Sequence, residues 1–287
     1  MAGRPLVMGI LNVTPDSFSD GGRYLDPTVA VEHAGEMVAE GADLVDVGGE
    51  STRPGAEPVD EATERSRVLP VVEALAGRVR LSIDTTTPGV ARAAVAAGAS
   101  LINDVSATLW PVAAELGVPW VAMHMRGTPR TMQRAPHYDD VVDEVRSFLD
   151  DVAGRALDAG VPEVWVDPGI GFGKTTRHNL ELLAHLDRIV ELGHPVLVGT
   201  SRKRFLGELT ADGDRRVAAA LAGRRRPDAP PPPPDAVAGA ADGDPAPVDD
   251  RLDATVATVT WSLAHGARMV RVHDVRAAAR AVRVVAA

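Results

Sequence analysis

Eight short apolar runs punctuate this chain, at 6–11, 43–47, 79–83, 100–102, 119–123, 163–166, 195–198 and 267–270, and each one stops on polar residues. In order these are Asn12, Gly48 to Glu50, Asp84, Asn103, His124, Asp167, Ser201, and Arg271 with His273. Helix-like segments at 27–39, 60–76, 88–97, 111–116, 138–159, 178–191 and 251–264 lie between the runs, and a last one covers 275–285. Strands that alternate with helices predict a parallel sheet with helical crossovers. Eight such units predict an α/β fold of the TIM-barrel type, a (β/α)8 barrel in a single domain. In that fold the C-terminal strand ends share one mouth, where catalysis takes place. A chain that puts acids, amides and bases there at every strand reads as an enzyme. A doubly wound open sheet is the main rival, but its Gly-x-Gly-x-x-Gly turn is missing after the first run.

Local signals agree with this plan. Asp60 is placed to cap a helix, and Pro88 suits a first helical turn. Gly41, Gly98, Gly117, Gly160, Gly193 and Gly266 each precede a run, where a left-handed residue ends a helix. A short helix is expected from Arg204. The segment 224–247 stands apart, with three arginines, five consecutive prolines and Ala/Gly/Asp repeats but almost no large apolar residue. It has little to bury against its ordering entropy, so it is expected to be a disordered insert whose removal leaves activity intact.

A chain of 287 residues fits one barrel. The net charge of −10, with no basic stripe, argues against a nucleic-acid partner. Positive charge for an anionic substrate must therefore be local, and Arg53, Lys203 and Arg271 each stand beside a strand end. Without cysteine there are neither disulfides nor thiolate metal sites, which fits a reducing compartment. Residues 1–5 lead straight into the first run, so no signal peptide is expected. No apolar run approaches the roughly 20 residues of a membrane helix. The expectation is a soluble, cytoplasmic protein without a membrane partner.

The polar endings suggest particular chemistry. Residues 9–22 combine Asn, Thr, Asp and Ser with Pro15 and a Gly21-Gly22 hinge, the composition of a mobile lid. In 48–55, glycines allow close approach while Ser51, Thr52 and Arg53 can grip phosphate oxygens. Asp84, Asn103 and Asp167 offer acceptors at three strand ends, as a flat heterocycle with several N–H donors requires. Met123 can pack against such a ring, whereas the role of His124 stays open. Residues 167–174 read Asp-Pro-Gly-Ile-Gly-Phe-Gly-Lys, which lacks the spacing of a phosphate loop. Phe172 there offers an apolar face. Ser201 and the N–H groups after it suit an anion, and Lys203 can add charge or lie over an aromatic ring. Arg271 and His273 fall on one side of the last strand, where such barrels often bind phosphate.

Taken in order, 12–22, 48–55, 167–174, 201–203 and 271–274 resemble the dihydropteroate synthase family over nearly the whole chain. The stretch after Ser106 is shorter than usual for that family, and 224–247 is an addition. The resemblance implies a Mg2+-dependent transfer joining dihydropterin methyl diphosphate to 4-aminobenzoate, with loss of diphosphate. By motif position it implies that Asn12 contacts the metal. Asp84, Asn103, Asp167 and Lys203 would hold the pterin, and Thr52, Arg271 and His273 the diphosphate. Ser201 and Phe172 would line the aminobenzoate pocket under Phe18 and Pro54, and Asp20 would meet Arg53 as the loops order. A homodimer is also implied. A corrinoid methyltransferase on the same pterin barrel has no need of a diphosphate corner, and a non-catalytic paralogue would have lost loop residues that are present here.

Overall fold

The computed structural model describes residues 3–14, 26–52, 55–223 and 244–287. Eight parallel strands form its centre: β1 (Leu6–Asn12), β2 (Leu44–Gly48), β3 (Arg80–Asp84), β4 (Leu101–Asp104), β5 (Trp120–Met123), β6 (Val164–Asp167), β7 (Leu197–Val198) and β8 (Met269–Val272). Their order around the sheet is β6-β5-β4-β3-β2-β1-β8-β7. A single parallel bridge, Val166 to Val196, brings β6 and β7 together and closes the ring. The expected barrel is thus present, with every apolar run as a strand.

Ten helices surround it among the described residues: α1 (Pro27–Glu40), α2 (Glu61–Leu75), α3 (Pro88–Ala96), α4 (Trp110–Leu116), α5 (Val141–Asp158), α6 (Thr176–Ala184), α7 (Leu186–Val190), α8 (Arg204–Gly223), α9 (Leu252–Ala264) and α10 (Val275–Val285). Asp60 caps α2 by accepting from Thr63 N at 2.9 Å. All six glycines expected at helix ends have φ between 65° and 121°. Two helical expectations need correction. The segment 178–191 is two helices rather than one, because the chain leaves helical geometry at His185 (φ −115°, ψ 33°). The helix from Arg204 is long, running 20 residues to Gly223.

Of the expected insert, 224–243 lies outside the described residues. Its last four residues are described, and Ala246 is buried, donating its N–H to the Gly207 carbonyl at 2.9 Å. The Ala246 carbonyl accepts from Arg251 Nε at 2.8 Å. This approach depends on Gly207, where a Cβ would stand 2.9 Å from that carbonyl and 2.6 Å from Arg251 Nε. The end of the segment is therefore docked on α8, which corrects the boundary at Pro247.

Side chains alternate across a strand, so every second residue enters the barrel. Met8, Leu44, Leu101, Val121, Trp165, Leu197 and Met269 form one buried cluster inside it, with Leu6 packed against them. The outward faces join the helices in the larger core, which includes Val7, Leu11, Val45, Ile83, Ile102, Trp120 and Val270. Two residues beyond the inner apolar layer, five strands show what lies above it: Asp46 after Leu44, Asn103 after Leu101, Met123 after Val121, Asp167 after Trp165, and Arg271 after Met269. The pleat thus seals the barrel below with hydrocarbon and furnishes the layer above with mostly polar groups. Leu101→Ala should leave a cavity in this plug and reduce unfolding free energy by about 3 kcal/mol, as read from urea denaturation. An unchanged midpoint would show that the plug is not load sharing.

Candidate active site

A cavity of about 1090 Å3 opens at the C-terminal strand ends. Asn12, Thr52, Asp84, Asn103, Met123 and Asp167 line it from the first six strands. Phe172, Ser201, Lys203, Arg271 and His273 complete the wall from the loop after β6 round to β8. Eleven of the residues singled out from sequence therefore converge on one space. Phe18, Asp20, Arg53 and Pro54 lie outside the described residues.

The floor is a network of buried charge. Arg271 donates from Nε to Asp46 Oδ2 at 2.6 Å and from a terminal nitrogen to Asp84 Oδ2 at 2.7 Å. Asn103 Nδ2 donates to the same Asp46 oxygen at 2.9 Å. Burial pushes the Asp84 carboxyl up to about 7 against the opposing pull of Arg271. For Arg271, burial disfavours the charge, but Asp46 and Asp84 outweigh it and raise its pKa. Asp46 carried no signal as a site residue in the sequence, because it sits inside an apolar run. Only its inward parity, shared with Leu44, separates it from a surface acid.

The next wall is built by the turn after β6. Asp167 Oδ1 accepts from Gly169 N at 2.7 Å, folding the chain back over the strand end. Burial raises the Asp167 carboxyl, with Lys203 opposing. Lys203 donates to the Ile170 carbonyl, and its ammonium lies 4.6 Å from the centre of the Phe172 ring. Burial draws Lys203 down to about 8.

A second lysine pins this turn from below. Lys174 Nζ donates to His124 Nδ1 at 2.9 Å, to the Phe172 carbonyl at 3.1 Å and to the His124 carbonyl at 3.3 Å. Burial, reinforced by Lys174, draws His124 down to about 3, so the ring is neutral with Nδ1 as acceptor. The histidine that closes β5 is thereby assigned to holding the turn. On the far side, Ser201 Oγ accepts from His273 N at 3.1 Å and lies 3.1 Å from His273 Nδ1, tying the loop after β7 to β8.

Chemically, the site offers acceptors at Asp84, Asn103 and Asp167, cations at Lys203 and Arg271, and an aromatic face at Phe172. Among the described residues no group of three or more His, Asp or Glu could hold a metal.

Comparison with known proteins decides the family. The model of the pterin binding enzyme family matches residues 8–227. Dihydropteroate synthase of Mycobacterium leprae is 48% identical over 290 residues, covering 98% of this chain and 92% of the relative. The chain belongs to the dihydropteroate synthase family. The barrel superposes on that of the Yersinia pestis dihydropteroate synthase in complex with a sulfonamide drug, with a TM-score of 0.84 at 40% identity and coverage of 99% and 94%. A Xanthomonas albilineans dihydropteroate synthase with 4-aminobenzoic acid gives 0.79 at 45% identity, covering 98% and 92%. As a dihydropteroate synthase family member, the chain is a transferase that forms a carbon–nitrogen bond.

The turn after β6 gives a stability test. Gly169 has φ 65°, and a Cβ there would run into the His124 carbonyl oxygen, whereas Gly193, at φ 83°, faces open space. Gly169→Ala should cost about 3 kcal/mol and Gly193→Ala about 1 kcal/mol, compared by chemical denaturation. Equal costs would mean that the turn is not wedged against His124.

Proposed function

We propose that the cavity condenses a 7,8-dihydropterin carrying a methyl diphosphate with 4-aminobenzoate, giving 7,8-dihydropteroate and diphosphate. The observation that carries this reading is the gathering of three acceptors, Asp84, Asn103 and Asp167, beside Arg271 and His273 at one barrel mouth. A pterin edge is rich in N–H donors and matches the acceptors. Arg271 and His273, with Thr52 on the cavity wall, suit the diphosphate. The Phe172 ring beneath the Lys203 ammonium suits the aminobenzoate ring, and Ser201 its polar end. Lys203 stands between the two subsites, close enough to Asp167 to feel its charge.

In this reading the C–O bond to the diphosphate breaks first, and the positive charge left on the methylene carbon spreads into the pterin ring. Asp84 and Asp167 favour that charge electrostatically, while Arg271 and His273 stabilise the departing anion. The aminobenzoate nitrogen then attacks the carbon, forming the C–N bond and releasing a proton. No side chain acts as a nucleophile.

Asn12 is the residue whose chemistry fits a magnesium ion. Its Oδ1 is a hard oxygen donor on the cavity wall, facing the space above Gly48 beside Asp84. Mg2+ is commonly held by one or two protein oxygens together with substrate phosphates. An ion bound there would neutralise charge on the diphosphate. Phe18 and Pro54 would cover the aminobenzoate, and Asp20 would pair with Arg53, as the two loops close. A homodimer and a cytoplasmic location belong to the same reading. No helix among the described residues is long and apolar enough to cross a membrane.

Incubating the protein with the pterin diphosphate, Mg2+ and labelled aminobenzoate should yield labelled dihydropteroate. Deuterium at the methylene should slow the reaction measurably; a rate ratio of one would exclude bond breaking ahead of attack. Absence of product would leave a pterin-binding protein without the transferase activity. Because Asp84 must be ionised to accept from the pterin, and its carboxyl is pushed up to about 7, kcat/KM for the pterin substrate should climb as pH rises through neutrality. A flat profile from pH 5.5 to 8 would remove Asp84 from that role.

A further inference from the structure

Asp46 does not line the cavity, yet it touches two residues that do. It is fully buried on the inward face of β2, one level below the mouth. β4 and β8 each lie two strands away from β2, on opposite sides. A single oxygen, Oδ2, reaches both, accepting from Asn103 Nδ2 at 2.9 Å and from Arg271 Nε at 2.6 Å.

The consequence follows from what each group is able to donate. A carboxylate only accepts, a guanidinium only donates, and an amide has one end of each kind. The NH2 end of Asn103 is therefore committed to Asp46, and its Oδ1 is the end left to the cavity. Without that commitment the amide could turn and present a donor. Once ionised, Asp84 and Asp167 have no such ambiguity, because both ends of a carboxylate accept. Asn103 is thus the one member of the acceptor trio whose sense depends on which way its side chain is turned. The same oxygen fixes Arg271 through Nε, which leaves the outer nitrogens to reach Asp84 and the cavity.

We propose that Asp46 is a positioning residue that sets the hydrogen-bond sense of the pterin subsite, holding Asn103 as an acceptor and Arg271 in place. The inference rests on the pterin reading above. It makes Asp46 a determinant of specificity for a ring edge that donates, acting wholly through residues it never allows to turn.

The variant Asp46→Ala tests the idea. It removes the one oxygen that Arg271 and Asn103 share, so nothing at position 46 keeps the Asn103 NH2 group turned away from the cavity. A donor facing the donors of the ring should raise the KM for the pterin substrate about 30-fold, while the KM for aminobenzoate stays within about twofold because that subsite is untouched. Adding Asn103→Asp supplies a group at position 103 whose ionised form only accepts, whatever stands at 46. The double variant should bring the pterin KM back to within about threefold of the original. A residue needed only for packing would show no such rescue.

Calorimetric titration with a 7,8-dihydropterin lacking the diphosphate separates the two levels of the argument. If the unaltered protein does not bind it, the pterin reading fails. If it binds and Asp46→Ala binds equally well, the role given to Asp46 fails. A double variant no better than the single one overturns the proposal, and so does an Asp46→Ala protein that does not fold, since the residue would then serve the fold alone.

Discussion

A closed ring of parallel strands must fill its own interior, and it does so with every second residue of each strand. In this protein that constraint meets a simple pattern. The inward positions are apolar early in most strands and mostly polar at their ends, whereas β3 puts Ser82 inward before Asp84. The buried layer of Leu44, Leu101, Val121, Trp165, Leu197 and Met269 excludes water from below, and the groups above it are held in a medium where charge matters. The same alternation decides that Asp46 and Arg271 meet inside the barrel rather than on its surface. The strand residues at the mouth, from Asn12 round to Arg271, inherit their direction from this pleat.

The charge network illustrates what such a setting costs and what it offsets. Arg271 is surrounded by Asp46 and Asp84, with Asp167 also close enough to raise its pKa. Burying an ion is expensive unless it is paired and hydrogen-bonded. Here each buried charge is opposed by at least one of opposite sign, although one oxygen of Asp46 and one of Asp84 remain without a partner among the described residues. Lys174 follows a different rule. Its three acceptors are a neutral ring nitrogen and two carbonyls, so it serves as a pin and not as half of a salt bridge.

Much of this was legible in the chain itself. The runs gave the strands, and their endings gave Asp84, Asn103, Asp167 and Lys203 as neighbours, because a barrel brings all strand ends to one mouth. Asp46 was hidden, since an acid within an apolar run declares itself only once the inward face is known. Lys174 was passed over for a related reason: it falls seven residues after the strand-ending Asp167, and nothing local says that its ammonium turns back under the loop to His124. The break at His185 and the docking of Ala246 against Gly207 were likewise beyond local pattern, as both depend on what packs nearby. For Phe18, Asp20, Arg53 and Pro54 the expectation from sequence stands as a proposal.

The ring is fastened unevenly. Seven neighbouring pairs of strands share regular ladders, but β6 meets β7 through one bridge, and β7 itself spans only Leu197–Val198. That thin seam runs beneath Phe172 on one side and Ser201 with Lys203 on the other. The half of the mouth proposed for the second substrate is therefore built across the joint with least backbone stitching, while Asp84 and Asn103 stand on the densely laced side. One wall of the pocket is a fixed jamb, and the other hangs on side-chain hinges.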